Sequence, residues 1–576
     1  MLRLPLALLL LATHVAAIWP RPADFRSGNQ PLRVNTSDFG FTAVSPLPDD
    51  VYDAIKSTTY YIGGDTLKPL EVGRGAARRS AVDAAPLLRE IRIELGGAQK
   101  LLAKKRAASA VPRSITSEIQ QDVSQLDEAY KLVIPADGSP GTLSANSSLG
   151  IFRGLETITQ LIYALPGELT TAHYLATRYI WNAPIEINDK PAFPYRGLLL
   201  DTSRNFYPTY AIKRVLTVMS FAKLNQFHWH ITDAQAFPLV LPGRLSVLSE
   251  KGAYGADQVY TADDVKDIMD FAGKRGINVN IEIDMPGHTY MGVVDLDPSL
   301  VVCPNQPDWG NWANEPPSGQ LALGSSAVDS YVAELIEETS KLIAGPYFAH
   351  GNDEVNLNCY NATSKEELDA PYLKPFVEKV HANIQKAGKT PMVWEEAAID
   401  FPETGKILAK GTIVEAWTGA EDYVPKILAS NPDVRLIHAP YQAAYLDVGR
   451  GSWLGNTTAP SYAPYVSWQN QYVFDPYNGT TVGDPRILGG EMALWGEQSD
   501  ENVLDGLLWP RAASAAEVYW TGASATTNGQ MEERSMTEAL PRLHDWRYRI
   551  VGRGIQATPI QPLWCALRDG QCNYPA

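Results

Sequence analysis

The 576-residue sequence predicts an α/β protein in which a (β/α)8 TIM barrel follows a small α+β domain. From residue 196 onward, short apolar runs alternate with amphipathic helical stretches, and eight such runs occur over roughly 350 residues, within the range of such barrels. Strands that alternate with helices form a parallel sheet with right-handed crossovers. A doubly wound open sheet is the alternative, but no Gly-rich nucleotide-binding motif follows the first strand.

The hydrophobic pattern sets the expected bounds of these elements. The predicted strands are 197–202, 226–233, 278–284, 347–354, 391–396, 411–417, 434–439 and 487–495. The predicted helices are 210–224, 262–275, 326–344, 365–387 and 501–518. We therefore assign residues 191–555 to the barrel and 556–576 to a C-terminal tail.

The region before residue 190 has a different pattern. Residues 90–95 and 129–134 alternate between apolar and polar side chains, as half-buried strands do, and residues 154–164 have helical spacing. Lys104-Lys105-Arg106 lies between the two strands, and Arg78-Arg79 lies earlier. Such a basic run is either a solvated loop or a dibasic processing site. A cut there would leave both strands able to stay paired, so the front piece, meaning the chain before the cut, could remain bound.

The first 17 residues have the features of a secretory signal peptide. Arg3 supplies the positive start, an apolar stretch follows, and Val15-Ala16-Ala17 is a small-residue cleavage site. The apolar stretch is too short for a membrane anchor, and no later segment reaches about 18 uncharged apolar residues. We therefore expect a secreted, extracellular protein with no membrane partner.

The charge balance is acidic. The sequence has 49 Lys and Arg against 65 Asp and Glu, a net charge of −16. Nucleic acids and anionic lipids need a basic surface, so neither is expected as a partner. Aromatic residues make up 10% of the chain, with 14 Trp and 27 Tyr, which suits either core packing or flat surfaces for flat ligands.

Two further features suit a secreted protein. Five Asn-x-Ser/Thr sequons are present, at Asn35, Asn146, Asn361, Asn456 and Asn478. Four cysteines allow three disulfide pairings, and we favour Cys303–Cys359 with Cys565–Cys572. The first bond would close a loop of about 57 residues and add up to ~4 kcal/mol in the chain-entropy model. A four-Cys metal site is the alternative, but no C-x-x-C spacing supports it.

The carboxyl ends of the predicted strands carry the candidate chemistry, because a barrel places its active site there. Read in order, these ends supply Asp201, Arg204, His228, His230, Asp233, Glu282, Asp284, His288, His350, Asp353, Glu354, Trp394, Glu395, Trp417, Tyr445, Asp447, Trp495 and Glu497. Carboxylates, histidines and tryptophans therefore converge on one rim.

Asp353 and Glu354 form the most informative pair. Two adjacent carboxylates cannot both ionise cheaply, so one pKa rises and the pair supplies one acid and one anion, as glycoside cleavage requires. The alternative is two solvated loop residues. Neighbours on a regular strand face opposite sides, so both can reach one pocket only if the strand breaks there.

Aromatic and histidine residues at the same rim allow two interpretations each. Trp394, Trp417 and Trp495 are either a pocket wall against the C–H face of a sugar or ordinary core, and three at equivalent positions favour the wall.

His228 and His230 are either metal ligands, with His288, His350 and His438 as further candidates, or a hydrogen-bonded pair at a buried strand end. We expect the second arrangement and no metal.

Seven motifs resemble the β-N-acetylhexosaminidases of glycoside hydrolase family twenty, particularly the secreted fungal enzymes. They are FPYRGLLLDTSRNFYP (193–208), NQFHWHITDAQAFP (225–238), IEIDMPGHT (281–289), HGNDEVN (350–356), IVEAW (413–417), GGEMALWGE (489–497) and LWPRAASAAEVYW (508–520). The resemblance covers nearly everything after the signal peptide, and the order and spacing of the motifs agree with it.

The resemblance implies an activity and an assembly. It implies hydrolysis, with retention, of terminal non-reducing β-linked GlcNAc or GalNAc, with chitooligosaccharides such as chitobiose as plausible substrates and no cofactor. The nucleophile would be the 2-acetamido oxygen of the substrate, which forms an oxazolinium intermediate. It also implies a homodimer and a propeptide over 18–106 that stays bound without a covalent link, leaving 107–190 as the rest of the first domain.

The resemblance further implies individual roles. Glu354 would be the general acid and then the general base, Asp353 would orient the acetamide and stabilise the cation, and Tyr445 would bind the acetamide carbonyl. The residues that would bind or surround the sugar, or support Glu354, are Arg196, Trp394, Trp417, Asp447, Trp495 and Glu497, with Asp233 and His288 as a supporting relay. The chain departs from the family pattern at Asn352, usually Gly, at Ala234, where Asp is common, and in a longer stretch 440–447.

Overall fold

The structure, a computed structural model, describes residues 17–96, 112–165, 177–420 and 422–574. The predicted signal peptide, apart from Ala17, and the basic run 104–106 lie outside the described residues. Within this part of the chain the strands are β1 Asp24–Asn35, β2 Gly40–Ala43, β3 Leu87–Leu88, β4 Glu90–Leu95, β5 Tyr130–Ile134, β6 Gly141–Ala145, β7 Tyr163–Ala164, β8 Thr177–Asp189, β9 Tyr195–Asp201, β10 Gln226–Thr232, β11 Asn278–Ile283, β12 Val301–Val302, β13 Gln320–Leu321, β14 Tyr347–Ala349, β15 Thr390–Trp394, β16 Ile413–Ala416, β17 Arg435–His438, β18 Ile487–Leu494, β19 Ser524–Thr527 and β20 Gln530–Glu533.

The α-helices fall between these strands and after them. They are Asp49–Gly64, Arg79–Asp83, Ile115–Ile119, Ser148–Leu161, Thr209–Phe221, Ser246–Gly252, Ala262–Gly273, Val293–Leu296, Ser326–Leu342, Lys365–Leu368, Lys374–Lys386, Glu396–Ile399, Pro402–Gly405, Tyr423–Ser430, Tyr441–Ala444, Trp468–Val473, Leu504–Leu508, Arg511–Thr521, Met536–Gly552 and Leu563–Ala566. Two predicted helices are interrupted: a π-helical turn, Asp369–Leu373, divides 365–387, and Trp509-Pro510 divides 501–518.

The predicted barrel is confirmed. β9, β10, β11, β14, β15, β16, β17 and β18 form a closed sheet, in which neighbouring strands run parallel and β18 pairs with β9. Every residue of β10 and of β18 is buried, as expected for strands covered on both faces. All eight predicted strands are present, but β14 is much shorter than the predicted 347–354 because the chain leaves the sheet after Ala349.

Outer helices such as Ala262–Gly273 bury one face, whereas every residue of Arg511–Thr521 is buried. In the helix Ala262–Gly273, a capping box between Thr261 and Asp264 satisfies the first backbone N–H groups, and Val265, Ile268, Met269 and Ala272 form the buried stripe. The buried side chains at intervals of three and four residues keep this helix against β11, so each helix fixes the strand beside it.

The N-terminal domain is a mixed sheet with strand order β2-β4-β6-β5-β8-β1-β19-β20. The predicted strands 90–95 and 129–134 correspond to β4 and β5, and the predicted helix lies within Ser148–Leu161. The expectation that β4 and β5 pair with each other is wrong, because β6 lies between them and pairs with both. Within the sheet, β6 joins the two strands.

The segment 18–35 joins the two domains. Trp19 is fully buried, its Nε1–H donates to the carbonyl of Ala513 at 2.8 Å, and Gln160 bonds to its backbone on both sides. β1 pairs with β8 of the N-terminal sheet and with β19, which follows the barrel. The front piece is therefore held by strand pairing as well as by the backbone connection.

Surface features agree with the predicted pairings and exposure. Disulfides link Cys303 to Cys359 and Cys565 to Cys572, as favoured above. The sequon asparagines Asn146, Asn361, Asn456 and Asn478 are exposed, and Asn35 is half-buried. In the described ranges, no helix has the length and apolar character needed to cross a membrane.

Candidate active site

The loop after β14 turns Asp353 and Glu354 toward the same cavity. The backbone at Gly351, Asn352 and Glu354 is left-handed, with φ of 67°, 70° and 50°. A Cβ at Gly351 would lie 1.7 Å from Oδ1 of Asp284, so only glycine fits there. Asn352 is one of the residue types that best tolerate a left-handed backbone. The break in the strand thus removes the geometric objection to two adjacent carboxylates in one site.

A cavity of about 530 Å³ opens at the carboxyl ends of the barrel strands. The side chains around it include Arg204, His230, Asp233, Asp284, His288, Trp309, Asn314, Glu315, Asp353, Glu354, Trp394, Trp417, Tyr445, Asp447, Trp453, Tyr462, Trp495 and Glu497. Every residue predicted to act in catalysis, substrate binding or the relay lines this cavity, except Arg196.

His288 connects the carboxylate pair to Asp233. Its Nδ1 lies 3.1 Å from Oδ1 of Asp233, and its Nε2 lies 3.3 Å from Oε2 of Glu354 and 3.5 Å from Oδ2 of Asp353. Burial opposes a charge on the imidazole, but Asp233 and Asp284 outweigh it and hold the pKa of His288 well above its ordinary value. His288 is therefore a cation with both ring N–H groups available as donors.

The two adjacent carboxyls are inequivalent. Burial, opposed by His288 and reinforced by Glu354, raises the pKa of Asp353 to about 6. Burial also acts to raise the pKa of Glu354, but its hydrogen bond to His288 and the charge of that ring hold it below the ordinary value. At mildly acidic pH the pair therefore shares one proton, and that proton favours Asp353.

Four aromatic side chains enclose one side of the cavity. The rings of Trp417 and Tyr445 stack at 6.1 Å with an angle of 11°, and Trp495 lies 5.9 Å from Trp394 and 6.1 Å from Tyr445. The indole of Trp394 donates to Glu282 at 2.9 Å, which fixes its orientation. These faces form an apolar wall beside the carboxylates.

Arg204 lies at the polar side of the same cavity. Its guanidinium is 2.8 Å from Asp233 and 3.2 Å from Asp201, also pairs with Glu315, and lies 5.2 Å from the ring of Trp495. Arg204 follows β9 by three residues, within the motif 193–208 that carries the resemblance. The sequence places Arg204 at a strand end, but the resemblance assigned sugar binding to Arg196 of the same motif.

Asp447 and Glu497 complete the polar side. Burial raises the pKa of Asp447 to about 6, and the hydroxyl of Tyr462 donates to it at 3.2 Å. Burial, opposed by Arg204, raises the pKa of Glu497 well above its ordinary value. Both carboxyls can exchange hydrogen bonds with sugar hydroxyls. Tyr462 gave no sequence signal beyond its place in a loop rich in aromatic residues.

The structure corrects the prediction for Arg196. This side chain is fully buried at the start of β9, at the opposite end of the barrel from the cavity. It donates to Glu128 at 2.6 Å, to the carbonyl of Lys223 at 2.9 Å and to that of Phe193 at 3.0 Å. Arg196 therefore joins the barrel to the N-terminal domain and cannot reach a sugar.

Histidines inside the barrel are paired with carboxylates. His228 lies 2.7 Å from Glu491 and 3.0 Å from Glu282, and His230 lies 2.7 Å from Glu282 and 2.8 Å from Asp233. Several of these groups lie close enough together to be considered as metal ligands. The His230 contacts and the His228–Glu491 contact are hydrogen bonds, whereas His228 and Glu282 form an ion pair. Charged neighbours raise the pKa of His230 to about 10 despite its burial.

Glu396 lies beside the aromatic wall and came without a specific sequence signal. Glu396 accepts the indole N–H of Trp417 at 3.1 Å, and burial with the nearby charge of Asp353 raises its pKa well above the ordinary value. Of the two tryptophans in the long loop after β11, Trp309 lines the cavity, whereas Trp312 donates to Asp308 of its own loop.

Two family models match the chain. The model described as glycosyl hydrolase family 20, catalytic domain, matches residues 193–523, and the model described as beta-acetyl hexosaminidase like matches residues 18–161. The first covers the barrel and the second covers most of the N-terminal domain, so the two matches follow the architecture.

Relatives and solved structures agree with these matches. The chain is 35% identical to a chitooligosaccharidolytic beta-N-acetylglucosaminidase of Bombyx mori, over 82% of this chain and 80% of the relative. It is 32% identical to a beta-hexosaminidase of Arthroderma benhamiae, over 97% and 98% respectively. The crystal structure of a GH20 exo beta-N-acetylglucosaminidase from Vibrio harveyi superposes with a TM-score of 0.69 at 20% identity, covering 95% of this chain and 79% of that one, which supports the fold.

Proposed function

The chain belongs to glycosyl hydrolase family 20, and from that premise we propose that it works as a retaining exo-β-N-acetylhexosaminidase with the substrate's own acetamide as nucleophile. Its enzymatic class is that of the β-N-acetylhexosaminidases, which remove terminal GlcNAc. Release of GalNAc, retention and the oxazolinium intermediate belong to the proposal.

The observation that carries the proposal is the left-handed turn that directs Asp353 and Glu354 into one cavity beside an aromatic wall. In the first step the acetamide oxygen attacks C1, the C1–O bond breaks, and Glu354 gives its proton to the leaving oxygen. Asp353, as an anion, accepts a hydrogen bond from the acetamide N–H and stabilises the oxazolinium charge. In the second step Glu354 takes a proton from water, whose oxygen attacks C1 and opens the ring. Each of the two attacks inverts the configuration at C1, so the product keeps the configuration of the substrate.

The proton must reach Glu354 before the first step. An acetamide N–H beside Asp353 favours its charged form, and a sugar over Glu354 removes water from it and favours its neutral form. Both effects move the shared proton from Asp353 to Glu354. His288 lies within 3.5 Å of both carboxyls and keeps them in one hydrogen-bonded group.

Arg204 takes the sugar-binding role first expected of Arg196. Its guanidinium lies in the cavity beside the ring of Trp495, with Asp447 and Glu497 on the same polar side. Charge-assisted hydrogen bonds from this arginine to the hydroxyls of the non-reducing end would exclude a longer chain there. This arrangement supports exo action, and Trp309 and Trp453 at the mouth support a second sugar of a chitooligosaccharide as leaving group.

The experiment that tests this function compares p-nitrophenyl β-N-acetylglucosaminide with the matching glucoside, each with and without EDTA. Release from the acetamido sugar alone is expected. Equal cleavage of the plain glucoside would contradict the acetamide nucleophile, and loss of activity in EDTA would indicate a metal-dependent hydrolase. If neither sugar is cleaved with or without EDTA, the proposed function fails, and a carbohydrate-binding protein or an enzyme with a different substrate becomes the hypothesis.

Secretion, processing and dimerisation remain proposals that accompany this function. A cut within residues 97–111 would separate the front piece from the rest, yet β4 would stay paired with β6, and β1 with β8 and β19. N-terminal sequencing of secreted protein, with size measurement under native and denaturing conditions, tests all three. The expected result is two chains that separate only on denaturation, in a homodimer; a single uncut monomer would contradict it.

A further inference from the structure

Two histidines form a buried pair directly behind the catalytic turn. His350 follows β14, and His381 lies in the helix Lys374–Lys386 outside the barrel. Their Nε2 atoms are 3.0 Å apart, and the rings meet edge to face. His350 is fully buried and His381 is 3% exposed. Neither side chain lines the cavity, and the reaction described above uses neither.

The hydrogen bonds fix where each ring carries its hydrogen. The backbone N–H of Ala409 donates to Nδ1 of His381 at 3.1 Å. A nitrogen that accepts a hydrogen bond carries no hydrogen in a neutral imidazole, so His381 has its hydrogen on Nε2. That N–H donates to Nε2 of His350, which therefore carries its own hydrogen on Nδ1.

The pair must be neutral to keep this pattern, because a second hydrogen between the two Nε2 atoms would set two donors against each other. Burial lowers the pKa of His350 to about 4, with the charge of Glu282 on β11 acting in the opposite direction. Burial, with His350 as the neighbouring titratable group, lowers the pKa of His381 well below its ordinary value. Both rings are therefore neutral wherever the enzyme is expected to work.

The backbone of His350 connects three parts of the site. Its N–H donates to the carbonyl of Met392 in β15, and its carbonyl accepts the N–H of Met285, both at 3.1 Å. Met285 lies three residues before His288. The next carbonyl, that of Gly351, accepts the N–H of Trp394 at 2.9 Å. A shift of His350 would therefore move the catalytic turn, the relay histidine and the aromatic wall together.

We propose that His381 is a positioning residue that fixes the catalytic turn by donating a hydrogen bond to His350. The helix Lys374–Lys386 and the loop at Ala409 supply the rigid support, and His350 transmits it to Asp353 and Glu354. The inference rests on the proposed function because one of its measurements is glycoside hydrolysis.

Two substitutions separate the two hydrogen bonds of His381. In His381→Gln the amide nitrogen replaces Nε2 and can still donate to His350, whereas in His381→Asn the carbonyl oxygen replaces Nδ1 and can accept only from Ala409. The expected result is a kcat near that of the wild type for His381→Gln and a kcat about 10- to 10²-fold lower for His381→Asn, with little change in KM, because small misplacements of a catalytic group cost that much. His438→Gln, at a buried histidine outside the cavity, is the control for loss of a core imidazole and should keep kcat.

The result that would overturn the inference is an equal kcat in the Gln and Asn variants. Long-range 15N NMR of the histidine-labelled wild-type enzyme, with assignments from the variants, gives a readout independent of activity. It should find hydrogen on Nε2 of His381 and on Nδ1 of His350, and any other tautomer would also overturn the inference. If the wild type cleaves no hexosaminide, the proposed function fails, while the NMR result still decides the pairing.

Discussion

The two ends of β9 each carry an arginine, and the two side chains behave in opposite ways. Arg196, at the amino end, is fully buried and bonds to Glu128 and to two backbone carbonyls. Arg204, just beyond the carboxyl end, also has carboxylate partners, but it lines an open cavity. The sequence motif contains both arginines.

The surroundings of the two arginines explain the difference. Burial would raise the pKa of Glu128, but Arg196 and Arg153 hold it below the ordinary value, so the charge of this buried carboxylate is balanced by neighbouring cations. At the carboxyl end several carboxyls crowd together, and burial raises the pKa values of Asp353, Asp447 and Glu497. Balanced charge indicates a structural junction, whereas crowded carboxyls beside a cavity indicate a reactive site.

The largest effect on activity is expected for Glu354→Gln. Removing the general acid and base should lower kcat on natural oligosaccharides by roughly 10²- to 10⁴-fold, with thermal stability nearly unchanged. Glu156→Gln, at a buried carboxyl in the N-terminal domain, is the matched control and should keep full activity. An active Glu354→Gln enzyme would contradict the assignment of the acid.

Arg196→Met should affect stability instead of activity. Breaking a buried ion pair by removing one partner costs about 3–5 kcal/mol, and Arg153, 2.7 Å from Glu128, should keep the loss near the lower limit. Urea unfolding measures the loss, and kcat/KM of the folded variant should equal that of the wild type. If the variant had normal stability and a raised KM, Arg196 would have to be assigned to sugar binding after all.

Arg204→Met should lower activity as well as stability. Hydrogen bonds to a charged group contribute about 1.5–3 kcal/mol, so kcat/KM of the folded variant should fall roughly 10- to 10²-fold. The urea midpoint should also fall, because Arg204 is the ion-pair partner of the buried Asp201 and Asp233. Arg214→Met, which removes a partly exposed arginine paired with Asp505, is the control. Unchanged kcat/KM in Arg204→Met would mean that the sugar lies elsewhere in the cavity.

The pH dependence should follow the shared proton. The pair is active with one proton, which it loses as pH rises through about 6, where burial has raised the pKa of Asp353. The profile of kcat/KM for the free enzyme should therefore have an alkaline limb near pH 6, and its acid limb should lie below the ordinary Glu range. An enzyme with full kcat/KM at pH 8 would contradict this assignment.

The sequence allowed prediction of much of this architecture. Hydrophobic periodicity located all eight barrel strands. The motifs contain the cavity residues Asp353, Glu354 and Trp495. Trp394, Tyr445 and Asp447 lie outside the motifs and were noted because they lie at or after strand ends. The predicted strand bounds already placed Arg204 at the carboxyl end of β9, but the resemblance assigned sugar binding to Arg196. The buried partner of Arg196, Glu128, is far away in sequence, so the sequence could not show this pairing. It also could not locate Tyr462 or Glu396, whose roles arise only when loops from different strands meet. The interruption of β14 followed from chemistry, since both carboxylates had to face one side.

The most direct test of the central claim is a crystal structure of the enzyme with bound N-acetylglucosamine. The account predicts the sugar ring against the wall of Trp394, Trp417 and Trp495, its acetamide N–H on Asp353 and its carbonyl on Tyr445. The hydroxyls of the non-reducing end should bind Arg204. A sugar whose acetamide points to solvent, or that lies away from Asp353, would contradict the proposed chemistry.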